Sequence, residues 1–517
     1  MIKYKILFLV LTFLLLEIKT NAQDSLKANV FQVEKVLKPM LSDAIKIPSN
    51  PNPEVPEIKL PTFDYSKIPD SSHSATPTIY TIKPLSMGTA LLPKLKNNYL
   101  KFGYGNLNTP ILEGYFNTVR NKEWNAGVFV KHFSSNPDGN NPFSENKVEG
   151  YAKKFSPESV LEADVNYFRK RVNLFGIADT LNNVISPQSQ VFQCFELKGS
   201  YSNIIKEEDE LYYKLGTKYD HFFDNHSMAE DNFKLFGEFS KRVMGNPLEV
   251  ETELFITSLK NSSGDTTPQL QRVFFDLNPR YTLDLEQLYL KLGFNLAVFS
   301  STKESTTNLF PVAEAGYSII EKTFIIYAGI TGYEQGHNYR GITAENPFIR
   351  SLELENTINR FEVYGGFRGK LGAQTSFLVQ GGWSKMENML FYLLDSAKLG
   401  QSSVYGNGAV THLKAELSHE LGSQFRFAIT VDYYNYKLEE LEHPYSRPTL
   451  RTKLNAMYNI GNKFILRADI FTIDQRYTKI MGDKNVNEDV TLKGLVDLNA
   501  GIDYLYNKNI SVFLNVN

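Results

Sequence analysis

The chain has 517 residues, a formal net charge of −2 and a single cysteine, Cys194. A nearly neutral charge argues against nucleic-acid binding, and one cysteine excludes both an intrachain disulfide and a zinc site built from cysteines. The hydrophobic fraction of 42% would suit a soluble protein, but 29 Tyr and 36 Phe are heavy aromatic usage. Aromatic residues are enriched where a membrane barrel meets the two membrane interfaces.

The first 22 residues have the pattern of a secretory signal peptide. Two lysines precede the apolar run of residues 6–16, and residues 20–22 (T-N-A) suit cleavage before Gln23. The apolar run is shorter than the roughly 18 residues that a spanning helix needs. We therefore predict an exported protein from which residues 1–22 are removed.

Residues 23–97 contain ten of the 22 prolines and show no sustained hydrophobic period. We interpret them as a proline-rich arm that lies in the periplasm or enters the lumen of the barrel predicted below. Within the arm, residues 30–36 (V-F-Q-V-E-K-V) alternate between apolar and polar, so they could pair as an added strand with a periplasmic partner. A mostly unpaired polar arm is the alternative interpretation.

Residues 98–517 repeat one pattern about twenty times. In its clearest copy, residues 496–506 (V-D-L-N-A-G-I-D-Y-L-Y), apolar residues occupy the even positions and mostly polar residues the odd ones. Successive side chains of a strand point to opposite faces, so one face is apolar and the other polar. Recurrence of such strands, joined alternately by short turns and longer loops, is typical of an outer-membrane barrel. We predict an all-β fold: a transmembrane antiparallel up-and-down β-barrel of about 22 strands, with short periplasmic turns and long extracellular loops.

The strand count reaches about 21 at Asn517, whereas single-chain bacterial barrels have even numbers of strands. Either this count is off by one or the last strand is missing from this sequence, and we favour the missing strand. A barrel of this size has a wide lumen, which is normally plugged. We expect the arm and two loops, residues 337–357 and 386–405, to fold inward and occlude it. Residues 300–310 are predicted to form another long loop.

The polar faces of the strands carry charged residues that would line the lumen. The candidates are Glu249, Glu251, Glu253, Lys414, Glu416, Arg467, Asp469, Asp497 and Asp503. The three glutamates could bind a cation or a basic ligand, but a water-filled lumen also carries such side chains without binding anything. No G-x-S-x-G or H-E-x-x-H motif is present, and no spacing of the eight histidines suits a metal site on a strand. We expect no enzymatic activity, no cofactor and no metal.

One stretch of the arm and three stretches of the predicted barrel resemble segments of a known group of proteins. They are residues 38–47 (K-P-M-L-S-D-A-I-K-I), residues 98–106 (N-Y-L-K-F-G-Y-G-N) with Thr109-Pro110, residues 131–135 (K-H-F-S-S) and residues 513–517 (F-L-N-V-N). Together they resemble a group of Bacteroidota outer-membrane proteins that are similar to the barrels of TonB-dependent receptors. The last stretch looks like the start of that superfamily's N-V-x-N-L-F strand.

The resemblance implies a location in the outer membrane, with lipid around the barrel, and a role in solute transport. It does not name a solute. Such receptors carry a folded plug domain before the barrel, and the proline-rich arm has too few residues to resemble one. An alternative function from another class is a structural or assembly subunit that docks a periplasmic or surface partner.

Overall fold

The computed structural model describes residues 96–118, 121–137, 142–173, 189–261, 270–321, 323–394, 400–479 and 489–517. All of them belong to the second of two compact units in the chain, Leu95–Asn517. The predicted signal peptide, residues 30–36 and nearly all of the proline-rich arm lie outside the described residues.

The described residues form 24 strands and one short helix. The first strands are β1 (Asn98–Gly105), β2 (Thr109–Asn117), β3 (Trp124–Ser135), β4 (Phe143–Phe155), β5 (Ser159–Asn173), β6 (Ser189–Asn203), β7 (Tyr212–Asp224), β8 (Met228–Val243), β9 (Asn246–Asn261), β10 (Leu270–Leu285), β11 (Leu288–Ser301), β12 (Ser305–Ile320) and β13 (Phe324–Gln335). Helix α1 (Tyr339–Glu345) follows. The remaining strands are β14 (Ile349–Ser351), β15 (Thr357–Leu371), β16 (Thr375–Leu394), β17 (Gln401–Leu421), β18 (Phe425–Leu438), β19 (Leu450–Ile460), β20 (Phe464–Ile473), β21 (Arg476–Thr478), β22 (Val490–Leu492), β23 (Leu495–Leu505) and β24 (Ser511–Val516).

Twenty-one of these strands form one antiparallel up-and-down barrel wall, in which each pairs with its neighbours in sequence. Three short strands stand apart from this order: β14 pairs in parallel with β17, and β21 forms a separate hairpin with β22. The pairing therefore runs directly from β13 to β15 and from β20 to β23. The all-β barrel predicted from the sequence is confirmed. Within the described ranges, no helix is both long and apolar enough to cross a membrane.

The two faces of the wall differ as the alternation predicts. On β1, Leu100 and Phe102 are 67% and 71% exposed on the outer face, while Lys101 between them points the other way, towards Glu113 of β2. Leu498 on β23 is likewise 57% exposed on the outer face. Apolar side chains exposed in this regular way suit contact with lipid, whereas the inner face carries the charged groups.

Tight turns join the strands at one end of the wall. Gly245 and Gly372, with φ of +80° and +74°, occupy the left-handed region that a residue without a Cβ adopts at little cost. Asn462 also has a positive φ, as asparagine tolerates in turns. Residues 204–211 form a longer, eight-residue connection between β6 and β7 at the same end.

Two predicted long loops are wrong. The connection predicted at residues 300–310 is a tight turn, because β11 continues to Ser301 and β12 begins at Ser305. Residues 386–405 are mostly strand, since β16 extends to Leu394 and β17 begins at Gln401. In that region Leu390 and Phe391 are both buried although they point to opposite faces. A strand covered on both faces loses the alternation that marks a half-buried strand.

The first and last strands meet through side chains. The Phe513 ring of β24 lies 4.5 Å from the ammonium nitrogen of Lys101 on β1. A Cβ on Gly103 would lie 2.6 Å from Cζ of the same ring, so the absence of a side chain at Gly103 makes room for it. Phe513 therefore packs across the ends of the sheet from the inner face.

Candidate functional site in the lumen

The connection between β13 and β15 differs from a simple loop. Residues 337–356, which we call the strap, contain α1 and β14. Asn338 has an extended backbone, and its side-chain oxygen accepts a hydrogen bond of 2.9 Å from the amide of Gly341, which caps the helix. The first residues of α1 contact β6–β8, and later residues of the strap contact β16 and β17.

Glu230 of β8 binds the start of α1. Its two carboxylate oxygens accept hydrogen bonds from the backbone amides of Tyr339, at 2.6 Å, and Arg340, at 3.1 Å. The side-chain amide of Asn232 donates to the same carboxylate at 2.9 Å. Glu230 is 0% exposed, so these donors replace the water that its carboxylate has lost.

The Tyr339 side chain inserts into an apolar cluster of the wall. Its ring packs against Phe222 of β7, with 5.5 Å between the ring centroids, and the cluster includes Phe192 and Cys194 of β6. Its hydroxyl donates a hydrogen bond of 2.7 Å to Asp224. Burial, and then the negative charge of Asp224, raise the pKa of the Tyr339 phenol, so the group remains a neutral donor.

Arg340 binds two carboxylates of the same part of the wall. Its Nη1 lies 2.8 Å from Oε2 of Glu196 on β6 and 3.0 Å from Oδ1 of Asp220 on β7. Lys218 of β7 also contacts Glu196, at 3.0 Å. Two carboxylates and two cations therefore form a partly buried network in which each charge has an opposite partner.

The rest of the strap attaches to β16 and β17. Ile342 and Ile349 pack in one buried cluster with Leu390 and Tyr392 of β16. The backbone of β14 pairs with β17, and the amide of Gln401 donates a hydrogen bond of 2.9 Å to the carbonyl of Phe348. At the end of α1, Glu345 pairs with Arg447. Apolar packing, main-chain bonds and an ion pair all hold this side.

The strap crosses the lumen. Tyr339 and Arg340 contact β6, β7 and β8, whereas the later residues of the strap contact β16 and β17. These two parts of the wall are separated along the sheet by β9–β13 and β15. A short segment can touch both only across the concave face of the curved wall. The prediction that residues 337–357 fold inward is therefore correct.

Arg272 of β10 holds both ends of the strap. It is 5% exposed, and its guanidinium donates to the carbonyl of His337 at 2.9 Å and to the side-chain oxygen of Asn356. Nε2 of His337 lies 2.8 Å from the hydroxyl of Thr357. Burial, and then the positive charges of Arg272 and Arg447, lower the pKa of His337 to about 4. The imidazole is therefore neutral at pH 7.

A polar cavity of about 370 Å³ lies on the inner face of the wall and is lined by β9, β10, β11 and β13. Its charged lining residues are Glu249, Glu251, Asp276, Arg280, Lys291 and Glu334. Glu253, the third predicted glutamate, lines an adjoining cavity of about 450 Å³ together with Asn338 of the strap. Glu253 also forms an ion pair of 2.6 Å with Lys234. The three predicted glutamates thus line two adjoining cavities, among cations that compensate part of their charge, and only the cavity of Glu253 borders the strap.

The other predicted residues do not join this cavity. Lys414 and Glu416 form an ion pair of 2.7 Å on β17, and Arg467 and Asp503 form one of 2.7 Å between β20 and β23. The two remaining carboxylates accept hydrogen bonds from asparagine side chains. These pairs are Asn455 with Asp469, and Asn499 with Asp497. They are distributed around the wall as local pairs.

The comparisons with known proteins concern the fold alone. No protein-family model matches the sequence, and no curated protein matches it. Among solved structures, an iron transporter, FrpB from Neisseria meningitidis, has a TM-score of 0.60 and 11% identity over 79% of this chain and 74% of that one. The siderophore receptor PirA from Acinetobacter baumannii has a TM-score of 0.59 and 10% identity over 82% and 76%. The pyoverdine outer membrane receptor FpvA from Pseudomonas aeruginosa has a TM-score of 0.56 and 12% identity over 81% and 73%.

This chain shares their fold. At such low identity, the likeness shows a barrel of the same architecture and leaves the ligand of this chain open. Among the residues that the structure describes, no group of three or more His, Cys, Asp or Glu side chains is placed to hold a metal ion.

The sequence pattern does not reveal the residues that place the strap. Asp220 and Glu230 lie on the polar faces of β7 and β8, where nothing in the alternation separates a buried acid from a solvated one. Tyr339 and Arg340 lie in a connection whose length was the only signal. The capping pattern of Asn338 before α1 could have predicted a helix there, but it could not have predicted the wall residues that bind it.

Proposed function

We propose that this chain is an outer-membrane β-barrel protein, similar to TonB-dependent receptors, that binds a polar solute in its lumen and admits it across the outer membrane. The observation that supports this most is the pair of adjoining polar cavities on the inner face, one of them lined by Asn338 of the strap, within a wall whose outer face is apolar. A lumen with charges of both signs suits a water-soluble solute. The solved structures with this fold include an iron transporter and two receptors.

Solute passage can be measured with the full-length protein. We expect purified protein in liposomes to admit polar solutes faster than protein-free liposomes do. We also expect single-channel conductance to rise when residues 23–97 are deleted, if the arm restricts the lumen. A protein that admits no solute, with or without the arm, would contradict the transport function. A barrel that conducts freely with the arm in place would contradict only the occluding role of the arm.

The location and processing form a separate part of the proposal. We infer that the protein is inserted in the outer membrane after export and cleavage of residues 1–22. Membrane fractionation tests the location, and N-terminal sequencing of the membrane protein should begin at Gln23. A start at Met1, or recovery in the soluble fraction, would overturn this part.

A second function, a structural or assembly subunit, is favoured by the strap, because a segment anchored on two sides of the lumen restricts passage. In this case the barrel is a scaffold, and the arm docks a periplasmic partner through residues 30–36. Purification in mild detergent separates the two functions. A stoichiometric partner that is lost when residues 30–36 are deleted supports the scaffold, whereas an isolated barrel with solute flux supports transport.

A further inference from the structure

Besides Arg272, which holds the first and last residues of the strap, the strap has two further attachments, and these differ in kind. On β6–β8 it is held only through side chains of the wall: Glu230 accepts the amides of Tyr339 and Arg340, and Arg340 contacts Glu196 and Asp220. On β16–β17 the strap is part of the sheet, because β14 pairs with β17. The polar contacts of the first attachment are made by two consecutive residues, and Phe348 and Leu352 add only apolar packing against the cluster around Tyr339. The second attachment extends over most of the strap.

The main-chain attachment continues beyond β14. The hydroxyl of Ser403 on β17 accepts a hydrogen bond of 2.8 Å from the amide of Glu353 and donates one of 3.0 Å to the carbonyl of the same residue. The hydroxyl of Tyr405 also donates to that carbonyl, at 2.8 Å. Separation from β17 would break these bonds together with the apolar cluster around Ile342.

We propose that the strap is a hinged gate over the lumenal cavity. Tyr339 and Arg340 form its latch on β6–β8, and residues 342–356 form its hinge on β16–β17. Release of the latch moves α1 away from β6–β8 and opens the cavity beside Asn338 to the end of the barrel opposite the tight turns. The carboxylates that are uncovered face a polar lumen, so water can solvate them when Arg340 leaves. Reversible release is therefore compatible with the buried charges.

The chain contains its own reporter for this movement. Cys194 is 0% exposed and lies in the cluster that the Tyr339 ring completes. It is the only cysteine of the chain, so a maleimide reagent reports on this position alone. In the closed position the thiol is shielded from a water-soluble maleimide, whereas withdrawal of Tyr339 uncovers it from the lumen.

The experiment measures the rate at which a water-soluble maleimide labels Cys194 in the purified full-length protein in detergent. Arg340→Ala removes the charged part of the latch, and Glu230→Gln weakens the acceptor of the two strap amides without removing any group of the strap. Arg360→Ala is the matched control, because Arg360 pairs with Glu387 and Asn308. Heat-modifiable mobility on gels checks that each barrel is folded, and unfolded protein gives the maximal rate.

We expect both latch variants to label several-fold faster than the wild type, and Arg360→Ala to label at the wild-type rate. Both variants must first be shown to be folded by their mobility on gels. If Arg340→Ala and Glu230→Gln then label no faster than the wild type, the strap is fixed across the lumen and the gate proposal is overturned. Rapid labelling of the wild type at the unfolded rate would overturn the closed position itself. Because labelling requires no solute flux, a failure of the gate is distinguishable from a failure of the transport function.

Discussion

The ring of Tyr289 on β11 lies across the inner face of Gly316 on β12, directly opposite it in the antiparallel pair. A Cβ on Gly316 would lie 2.1 Å from Cε1 of the tyrosine. The Tyr289 hydroxyl also donates a hydrogen bond of 2.7 Å to Glu314. The glycine therefore provides the space in which an aromatic side chain packs flat on the wall, an arrangement that stabilises glycine positions in sheets.

Gly316→Ala should destabilise the barrel by about 1–3 kcal/mol, because the new methyl group displaces the Tyr289 ring from its position. The measurement is the free energy of unfolding from a denaturant titration in lipid vesicles. Gly150→Ala is the control, since a Cβ there would meet no atom within 4 Å. In the Tyr289→Ala background the cost of Gly316→Ala should fall towards that of the control. Equal costs of the two single substitutions would show that the ring moves freely.

Adjacent residues of β23 test which face meets lipid. Leu498→Arg should cost about 2–4 kcal/mol if the residue lies near the membrane midplane, because it places a charge against hydrocarbon. Asn499→Arg should cost little, since Asn499 lies on the inner face opposite Asp469. Vesicle unfolding measures both variants. A larger cost for Asn499→Arg than for Leu498→Arg would reverse the assigned faces of the wall.

Arg272→Met should destabilise the protein by about 1–3 kcal/mol, because the carbonyl of His337 and the side chain of Asn356 lose their buried donor. Methionine preserves most of the length and apolar contact of the side chain. The control is Arg426→Met, since Arg426 is half exposed and pairs with Glu420 beside a turn. Its effect should stay within about 0.5 kcal/mol. Similar losses in the two variants would contradict the role of Arg272 in holding the strap.

His337 should make the stability pH-dependent. Its pKa is about 4 in the folded protein, against an ordinary value of 6.5, so the folded state prefers the neutral imidazole. The stabilisation from His337 is fully present above pH 6.5 and decreases as the pH falls from 6.5 to about 4. Thermal unfolding of the wild type and of His337→Gln should therefore differ in pH dependence within this window. Parallel pH profiles would show that the imidazole is not desolvated.

The sequence by itself determined the wall of this protein. The apolar and polar alternation is a local property with a period of two residues, so it predicted the all-β class, the face of Leu498 and the number of strands before any contact was known. It failed at Leu390 and Phe391, because burial on both faces removes the alternation. It also failed at residues 300–310, where polar residues extend the strands into a tight turn.

Only the tertiary structure decided the site. Tyr339 and Glu230 lie 109 positions apart in the chain, and their hydrogen bond exists because the curved wall brings distant strands to face one lumen. The same curvature gathers Glu249 and Glu251 with Asp276 and Glu334, while Lys414 and Arg467 remain in pairs elsewhere on the wall. A strand pattern specifies which face a side chain takes. The partner that it meets across the lumen depends on how the whole sheet curves and where the strap crosses it.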